Sequence, residues 1–273
     1  MLQALDWLPR TEGSVRLGLA RRGERTRVVT LEQAGAARCK FPSLGRAEPC
    51  EAVLINTAGG LTGGDSLQIT AALGAGAAAT LTTAAAEKIY RARAGTVTVA
   101  VALALAGDAK LAWLPQPTIL FDGAALARTT EVELDAEASF LGVEISIFGR
   151  AAMGESLRRG SVLDAWRVRR AGVLLFADAL RLEGPIAELI ARPGLIGGAG
   201  AIGLLIYVAP AAQERIETAR AILHNAGAVA GVSALDGMLV ARAAAADGRT
   251  LQAQLAPLIE ALHARPLPRI WTC

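Results

Sequence analysis

The side chains of this chain that could do chemistry are mainly carboxylates. Glu144 is the most unusual of them, because it interrupts the apolar run Phe140–Phe148. An acid within such a strand lies either on its solvent face or against an internal polar cavity. In the second case it needs a partner or a cation, since an isolated buried charge is costly. The other acids of interest are Asp65, Glu87, Asp122 and Glu155.

Asp65 ends a glycine-rich segment that follows an apolar strand pattern. The segment contains the four glycines Gly59, Gly60, Gly63 and Gly64. Gly59 and Gly64 have the spacing of a phosphate-binding loop, but Asp65 takes the place of its lysine. The residues that follow have an apolar period near two, so no helix N-terminus is expected to stabilise a phosphate. Two interpretations stay open: a tight connection between strands, and the binding site of a small-molecule enzyme.

No nucleophile, base and acid stand together in a recognisable set. The motif G-x-S-x-G is absent. The only two histidines, His224 and His263, fall in segments of helical period. The three cysteines are scattered and odd in number, which favours neither a disulfide framework nor a zinc site. We therefore assign no catalytic residue and no cofactor-binding residue.

The composition is apolar for a protein without membrane spans. Hydrophobic residues make up 53% and charged residues 19%, the formal net charge is +3, and the mean hydropathy is +0.39. No segment reaches the roughly 18 uninterrupted apolar residues of a membrane helix, and Asp6 and Pro9 interrupt the start where a signal peptide would be apolar. The arginines lack interleaved aromatic residues for base stacking. We expect a cytoplasmic protein that binds neither membranes nor nucleic acids and exposes an apolar partner surface.

Strand patterns position the candidate residues through the first two-thirds of the chain. Val97–Leu105 is the clearest period-two run. Ala171-Gly172 connects two strand patterns as a hairpin, and Asp122-Gly123 is a second turn signal. Many strands at short spacing with few helical patterns predict a mainly β fold of stacked antiparallel or helically wound sheets. A doubly wound α/β fold is disfavoured.

The last third changes period and predicts a small β-α-β-β-α part. We expect a large β region over residues 1–195 and a smaller α+β region over 196–273, with one continuous domain as the alternative. Pro257 is expected to kink or interrupt the final helix. The segment Arg265–Trp271 is predicted to be an extended tail without helix, whose Trp271 fills a pocket on this chain or on a partner.

Several motifs, in order along most of the chain, resemble the urease accessory protein family UreD, also called UreH. They are a G-G-[IL]-x-G-G-D segment, a K-x-Y-R segment, a W-L-P-x-x-T-I-L-F-D-G-A block, an F-L-G-x-E-x-x-x-x-G-R pattern and a C-terminal L-P-R-x-W. The residues that carry these motifs are Gly59, Gly60, Gly63, Gly64, Asp65, Lys88, Tyr90, Arg91, Asp122, Gly123, Glu144, Arg150 and Glu155. The resemblance is more specific than any one motif.

The resemblance implies a maturation factor that is not an enzyme. Such a protein joins UreF and UreG on apo-urease (UreABC) and helps to deliver nickel, which is bound transiently, with no stably held cofactor. It also implies an internal channel, with Asp65, Glu87 and Glu144 as candidate wall residues. Arg269 and Trp271 are candidate partner contacts. Weak oxygen ligands suit a conduit, because clustered Cys and His would trap the ion.

Overall fold

The computed structural model describes residues 10–42, 50–150 and 153–272. The strands are β1 (Glu12–Arg22), β2 (Arg25–Gly35), β3 (Ala37–Lys40), β4 (Cys50–Asn56), β5 (Ser66–Leu73), β6 (Ala78–Thr83), β7 (Glu87–Ile89), β8 (Val97–Leu105), β9 (Lys110–Leu114), β10 (Thr118–Leu120), β11 (Ala125–Leu134), β12 (Ser139–Phe148), β13 (Gly160–Arg170), β14 (Val173–Gly184), β15 (Ala201–Val208), β16 (Val229–Leu235) and β17 (Met238–Ala245). The helices are α1 (Ile186–Ile190), α2 (Ile216–Asn225) and α3 (Gly248–His263), with short 3₁₀ helices at Ala212–Arg215 and Arg269–Trp271.

The chain winds as a coil that passes alternately through two sheets. The first sheet has the order β14-β13-β11-β8-β5-β1-β2, and the second has the order β16-β17-β15-β12-β9-β6-β4-β3, with β10 between β12 and β7. From β4 to β12, each strand of the first sheet is followed by a strand of the second. Successive turns of the coil pair in parallel, as β5 does with β8 and β8 with β11.

The predicted mainly β, helically wound architecture is confirmed, but antiparallel pairing is limited to the sheet ends. It joins β1 to β2, β3 to β4, β13 to β14, and β12 to β15 and onward to β17 and β16. The central pairs are parallel. A period-two pattern predicts a strand but does not distinguish parallel from antiparallel pairing. Parallel neighbours are usually connected by a helix, and it is this helix that indicates parallel pairing in a sequence. Here the crossover is a strand of the opposite sheet.

Three layers position the interior residues: the first sheet, the second sheet, and the helices α2 and α3. The middle layer is buried on both faces, so β12 is nearly continuous in apolar residues, as expected for a strand covered twice. Phe140 and Phe148 belong to the core between the sheets, whereas Val143 and Ile145 belong to the core under the helices. Glu144 has the same parity as Phe140 and therefore faces the first sheet.

The predicted β-α-β-β-α order of the C-terminal part is confirmed by β15, α2, β16, β17 and α3. The hairpins at Ala171-Gly172 and Asp236-Gly237 are also present. β15 pairs with β12, so this part extends the second sheet. The division into residues 1–195 and 196–273 stays a prediction.

Two expectations about the C-terminal end are wrong. α3 continues from Gly248 to His263, so an interruption at Pro257 is wrong, whereas a kink there stays a prediction. The start of α3 is capped by the Asp247 side chain, which accepts from the N–H of Thr250. Arg269–Trp271 forms a single 3₁₀ turn although the whole tail was predicted to lack helix. Among the described residues, none of the helices has the length and apolar character needed to cross a membrane.

Candidate functional site

Arg128 is a buried arginine in the interior between the two sheets. Alternate residues of β11 are buried, and Arg128 is one of them, with a side chain only 8% exposed. Its Nε and Nη2 donate to the two carboxylate oxygens of Asp164 at 3.0 and 2.5 Å. Its Nη1 donates to Oγ1 of Thr118 at 2.8 Å. Such a two-point pair fixes the plane of the guanidinium.

Glu144 reaches the same guanidinium from the second sheet. Its Oε1 lies 2.6 Å from Nη1 of Arg128, and the hydrogen bond and charge of Arg128 favour the ionised form of this buried acid. Asp164 on β13 thus accepts two hydrogen bonds from Nε and Nη2, and Glu144 pairs with Nη1 at the free end of the guanidinium. We call Arg128, Glu144, Asp164 and Thr118 the buried ion cluster.

The electrostatics of this cluster follow from one guanidinium facing two acids in a desolvated interior. Burial raises the pKa of Glu144 above its ordinary value, Arg128 opposes that rise, and the charge of Asp164 adds to it. Burial alone would lower the pKa of Arg128, but Asp164 and Glu144 outweigh burial and raise it. Arg128 is therefore a permanent cation.

Residues of the buried ion cluster line two cavities. A large one of about 930 Å³ is lined by Glu144, Asp164 and Asp178, and it opens to solvent beside the exposed side chains of Leu195 and Val229. A small one of about 60 Å³ lies on the other side and is large enough for several waters. Glu144 lines both cavities, whereas Arg128 and Thr118 line the small one.

Glu87 lines the small cavity. This position is compatible with a place in the wall of a channel, which stays a prediction. Glu87 begins the short strand β7. Nδ2 of Asn56 donates to its two oxygens at 3.0 and 3.1 Å. Burial raises the pKa of Glu87, and the hydrogen bond from Asn56 and the charges of Lys88 and Arg128 oppose that rise.

Asp65 is not among the residues of the two cavities, and its carboxylate accepts hydrogen bonds within and beside its own loop. Its Oδ2 accepts from the N–H of Thr62 at 2.7 Å, and its Oδ1 accepts from the N–H of Thr11 at 2.8 Å. Neither cavity is lined by Asp65. The structure therefore brings together two of the three predicted wall residues and gives Asp65 a turn-closing contact instead.

The glycine loop packs directly on the segment around β7. The N–H of Leu61 donates to the carbonyl of Lys88 at 2.8 Å, and the N–H of Tyr90 donates back to Leu61 at 2.7 Å. Gly60 has a φ of 153°, and a Cβ there would collide with the Tyr90 ring. A Cβ at Gly63 would collide with the backbone at residues 94–95. The glycines permit close approach of the chain itself, which favours the tight connection over a ligand site.

Most of the remaining motif residues converge on the outside of this loop. The hydroxyl of Tyr90 donates to the carbonyl of Gly59 at 3.3 Å, and its ring meets Phe121 edge-on with centroids 4.8 Å apart. The guanidinium carbon of Arg150 lies 4.4 Å from the centroid of the Phe121 ring. Nε of Arg150 lies 2.5 Å from Oε2 of Glu155. We call Gly60, Tyr90, Phe121, Arg150 and Glu155 the surface motif cluster.

Asp122 joins this surface to the start of β13. It accepts from the backbone N–H groups of Arg158 and Arg159 at 3.0 and 3.1 Å, and from the guanidinium groups of Arg91 and Arg158. Burial raises its pKa, but these hydrogen bonds outweigh burial and lower it. Gly123 follows with a φ of 82°, so the predicted turn is confirmed.

The two predicted partner contacts at the C-terminal end differ in their surroundings. Trp271 is half-buried on the helix-side core, and its Nε1 donates to the carbonyl of Leu114 at 2.9 Å. The pocket for Trp271 is therefore on its own chain. Arg269 is exposed, and its role as a partner contact stays a prediction.

The groups in the interior that could bind a metal ion are carboxylate and hydroxyl oxygens. Within the described ranges, no three or more His, Cys, Asp or Glu side chains are placed to hold a metal ion. The buried ion cluster offers two carboxylates, and the hydroxyls of Thr118 and Ser146 lie on the adjoining cavity walls. Such a set can attract a cation without enclosing it.

Sequence analysis missed the partner that orders the cluster. Neither Asp164, in the first strand of the hairpin at Ala171-Gly172, nor Arg128 is among the residues that the sequence singles out. The period-two pattern of the strands could have identified this pair, because it shows which side chains point to the interior. Asp164 occupies an inward position between Val162 and Trp166, as Arg128 does between Leu126 and Thr130. Opposite charges at inward positions of two strands indicate a buried pair.

A wound two-sheet β protein with an ion cluster between its sheets is the class that fold and site define. The family model for the UreD urease accessory protein matches residues 11–272. The urease accessory protein UreD of Xanthobacter autotrophicus is 45% identical over 262 residues, covering 96% of this chain and 90% of that protein. UreD of Rhizobium leguminosarum bv. viciae is 44% identical over 263 residues, covering 96% and 95%. The chain belongs to the UreD family of urease accessory proteins.

Proposed function

We propose that this chain is a scaffold for urease maturation that carries nickel through its interior. It binds apo-urease together with UreF and UreG in the cytoplasm, and nickel is its transient cargo rather than a resident cofactor. Its membership of a urease accessory family supports the maturation role. The conduit rests on the geometry of the interior.

The observation that carries the conduit is the position of Glu144. It is the acid that lines both cavities, with Glu87 beyond it on the small cavity and Asp164 and Asp178 on the large one. A divalent cation that moved between the cavities would pass successive carboxylates. Because oxygen ligands hold nickel less firmly than thiolate or imidazole sets, the ion could be released at the far end.

The alternative of a small-molecule enzyme using the Gly59–Asp65 loop has little support. The loop is filled by its own chain, since Gly60 packs on Tyr90 and the N–H groups of Leu61 and Gly64 donate to backbone carbonyls. Its carboxylate, Asp65, is hydrogen-bonded to backbone N–H groups. We therefore propose a non-catalytic role.

Expression of the urease operon with and without this chain tests the role in maturation. Urease purified from the strain that lacks the chain is expected to contain little nickel and to hydrolyse urea slowly. Nickel content and urease activity are measured on equal amounts of purified urease protein. Equal nickel loading in the two strains would overturn the proposal.

The conduit is tested by Glu144→Gln, which removes the charge and keeps the shape of the side chain. We expect less nickel in urease, with unchanged co-purification of UreF and UreG. Glu131→Gln is the matched control, because Glu131 is an exposed acid on β11 outside both cavities. Wild-type nickel loading with Glu144→Gln would show that the acid is not part of a path.

A further inference from the structure

Two exposed arginines are held around one carboxylate at the surface beside the Asp122-Gly123 turn. Oδ2 of Asp122 accepts from Nη2 of Arg91 at 3.1 Å and from Nε and Nη2 of Arg158 at 3.2 and 2.8 Å. The side chain of Asp122 is 9% exposed, whereas those of Arg91 and Arg158 are 65% and 72% exposed. The two guanidinium groups therefore share a buried acid and stay open to solvent. We call Arg91 and Arg158 the arginine pair.

Asp122 is itself fixed by the backbone. Its Oδ1 accepts from the N–H groups of Arg158 and Arg159 at 3.0 and 3.1 Å. These bonds, together with those of the arginines, hold the pKa of Asp122 below its ordinary value, so the carboxylate is ionised near neutral pH. A fixed carboxylate orients the guanidinium groups that bind it. One negative charge then faces the two positive charges of the arginine pair.

Each guanidinium of the pair keeps donors that its own chain does not use. Arg91 donates through Nε to the carbonyl of Asp122 and through Nη2 to its carboxylate, and Arg158 donates through Nε and Nη2. Among the residues that the structure describes, no acceptor binds Nη1 of either arginine. A guanidinium offers five N–H donors in a planar fork that matches a carboxylate. The arginine pair can therefore receive a second carboxylate from outside.

The surroundings of the arginine pair are basic. Arg159 follows the pair in the chain and is exposed, and no carboxylate of the described ranges forms an ion pair with it. Arg150 lies over the ring of Phe121, the neighbour of Asp122, and pairs with Glu155. With the pair itself, this surface has four arginines against two acids. Such an excess favours an anionic partner.

We propose that the arginine pair is a docking site for an acidic segment of a protein partner, whose Asp or Glu side chain binds between the two guanidinium groups. The inference rests on the proposed function, because a maturation scaffold binds protein partners, and it adds a surface and a partner chemistry. Asp122 is a positioning residue that aligns the pair. A single exposed ion pair contributes little, so the pre-organised geometry of two forks gives the site its affinity.

This surface fits the carboxylates of a protein better than a nucleic acid. Tyr90 is the exposed aromatic residue next to Arg91, but its ring packs edge-on against Phe121 and against Gly60. Single-stranded nucleic acids need aromatic rings on which bases stack, together with a groove of positive charge along the backbone. Four arginines interspersed with two acids form a short patch rather than such a groove.

Fluorescence anisotropy of a labelled oligoglutamate peptide, titrated at low salt with the purified full-length chain, tests the site. Arg91→Gln combined with Arg158→Gln is expected to weaken binding at least about tenfold, because two charge-assisted contacts are lost. Arg181→Gln combined with Arg220→Gln is the matched control, since these exposed arginines also pair with acids, on β14 and α2. Equal weakening by the two double variants would overturn the proposal.

Asp122→Asn separates a positioned site from a surface that is merely basic. The substitution removes a negative charge, so it strengthens peptide binding if only net charge matters. We expect binding about threefold or more weaker instead, because the pair loses the acid that aligns it. Tighter binding than that of the wild type would overturn the proposal. Should this variant fail to fold, Arg158→Lys replaces it. Lysine keeps the charge without the fork, and peptide affinity equal to the wild type would then overturn the proposal.

A single-stranded RNA with the same number of charges as the peptide tests the alternative ligand class. We expect the RNA to bind more weakly than the peptide and to lose little affinity in the double variant of the arginine pair. RNA binding that equals peptide binding and falls in the same double variant would show a general polyanion site. That result would overturn a protein-docking site.

Co-purification from cells that express the urease operon identifies the partner. Arg91→Glu combined with Arg158→Glu is expected to lose one of apo-urease, UreF and UreG, because like charges then meet. Retention of all three would overturn the docking role. The outcome is separate from that of the maturation role. If deletion of the chain blocks nickel loading but the arginine pair does not affect peptide binding, the maturation role holds and the docking site fails. If loading is normal without the chain, the maturation role fails whatever the peptide shows.

Discussion

The buried ion cluster and the surface motif cluster both contain an arginine paired with a carboxylate, but the first pair is buried and the second is exposed. Each pairs an arginine with a carboxylate on a neighbouring segment. The Arg128 side chain is 8% exposed and faces two acids, whereas the Arg150 side chain is 43% exposed and faces one. The first lines two cavities, and the second lies over the ring of Phe121 at the surface.

The two clusters differ in how well water can hydrate the carboxylate when its arginine partner is removed. When Arg150 is lost, solvent can hydrate Glu155, so an exposed pair contributes little. When Arg128 is lost, Glu144 and Asp164 stay about 95% and 93% buried and lose their counter-ion, which is costly. The same chemistry therefore attaches a loop at the surface and controls charge in the interior. Substitutions can separate these roles.

The largest effect is expected for Arg128→Met. It should lower the free energy of unfolding by about 3–5 kcal/mol, because two buried acids lose their cation. Urea unfolding near neutral pH followed by circular dichroism measures it. A loss no greater than that of the surface variant Arg150→Met would break the comparison.

Gly60→Ala tests how tightly the surface motif cluster is packed. We expect a loss of about 2–3 kcal/mol, from backbone strain at positive φ together with the collision with Tyr90. Gly59→Ala is the matched control. It has a φ of 75° but no atom within 4 Å of an added Cβ, so only the strain of about 1 kcal/mol remains. Equal losses in thermal or urea unfolding would mean that the Tyr90 contact is unimportant.

Glu144→Gln should change how stability depends on pH. The pKa of Glu144 is raised by folding, so above its ordinary value of 4.5 the folded state holds the proton more firmly than the unfolded state. Wild-type stability from this group is therefore present at low pH and is lost as pH rises through the folded pKa. The difference is about 1.4 kcal/mol for each unit by which the pKa is raised. Unfolding curves of the two proteins that stay parallel from acid to alkaline pH would contradict this.

The smallest effect is expected for the exposed pair of Arg150 and Glu155. A double-mutant cycle with Arg150→Met and Glu155→Gln should give a coupling energy below about 1 kcal/mol that falls with added salt. Denaturant unfolding at low and high salt measures it. A coupling energy that salt does not change would indicate that this pair behaves like the buried one.

The sequence was sufficient for the strands and for Glu144, because both depend on local pattern. An acid inside the run Phe140–Phe148 is unusual wherever the strand lies. Parallel pairing and the partner Asp164 were not predictable in the same way. They depend on which strand of a distant turn becomes a neighbour, and Arg128 and Asp164 are 36 residues apart. Asp65 was not predicted to close a turn, which depends on the N–H of Thr11 from a distant strand, and its place in a channel wall stays a prediction.

The parallel winding also sets an order in which the interior can be completed. Arg128, Glu144 and Asp164 come from β11, β12 and β13, three consecutive strands that alternate between the sheets. As the chain leaves the ribosome, Arg128 and Glu144 emerge before Asp164. The two aligned bonds form when β13 is added beside β11. A nascent or truncated chain that ends before residue 160 therefore lacks the acid that fixes the plane of the Arg128 guanidinium, and β13 supplies it beside β11.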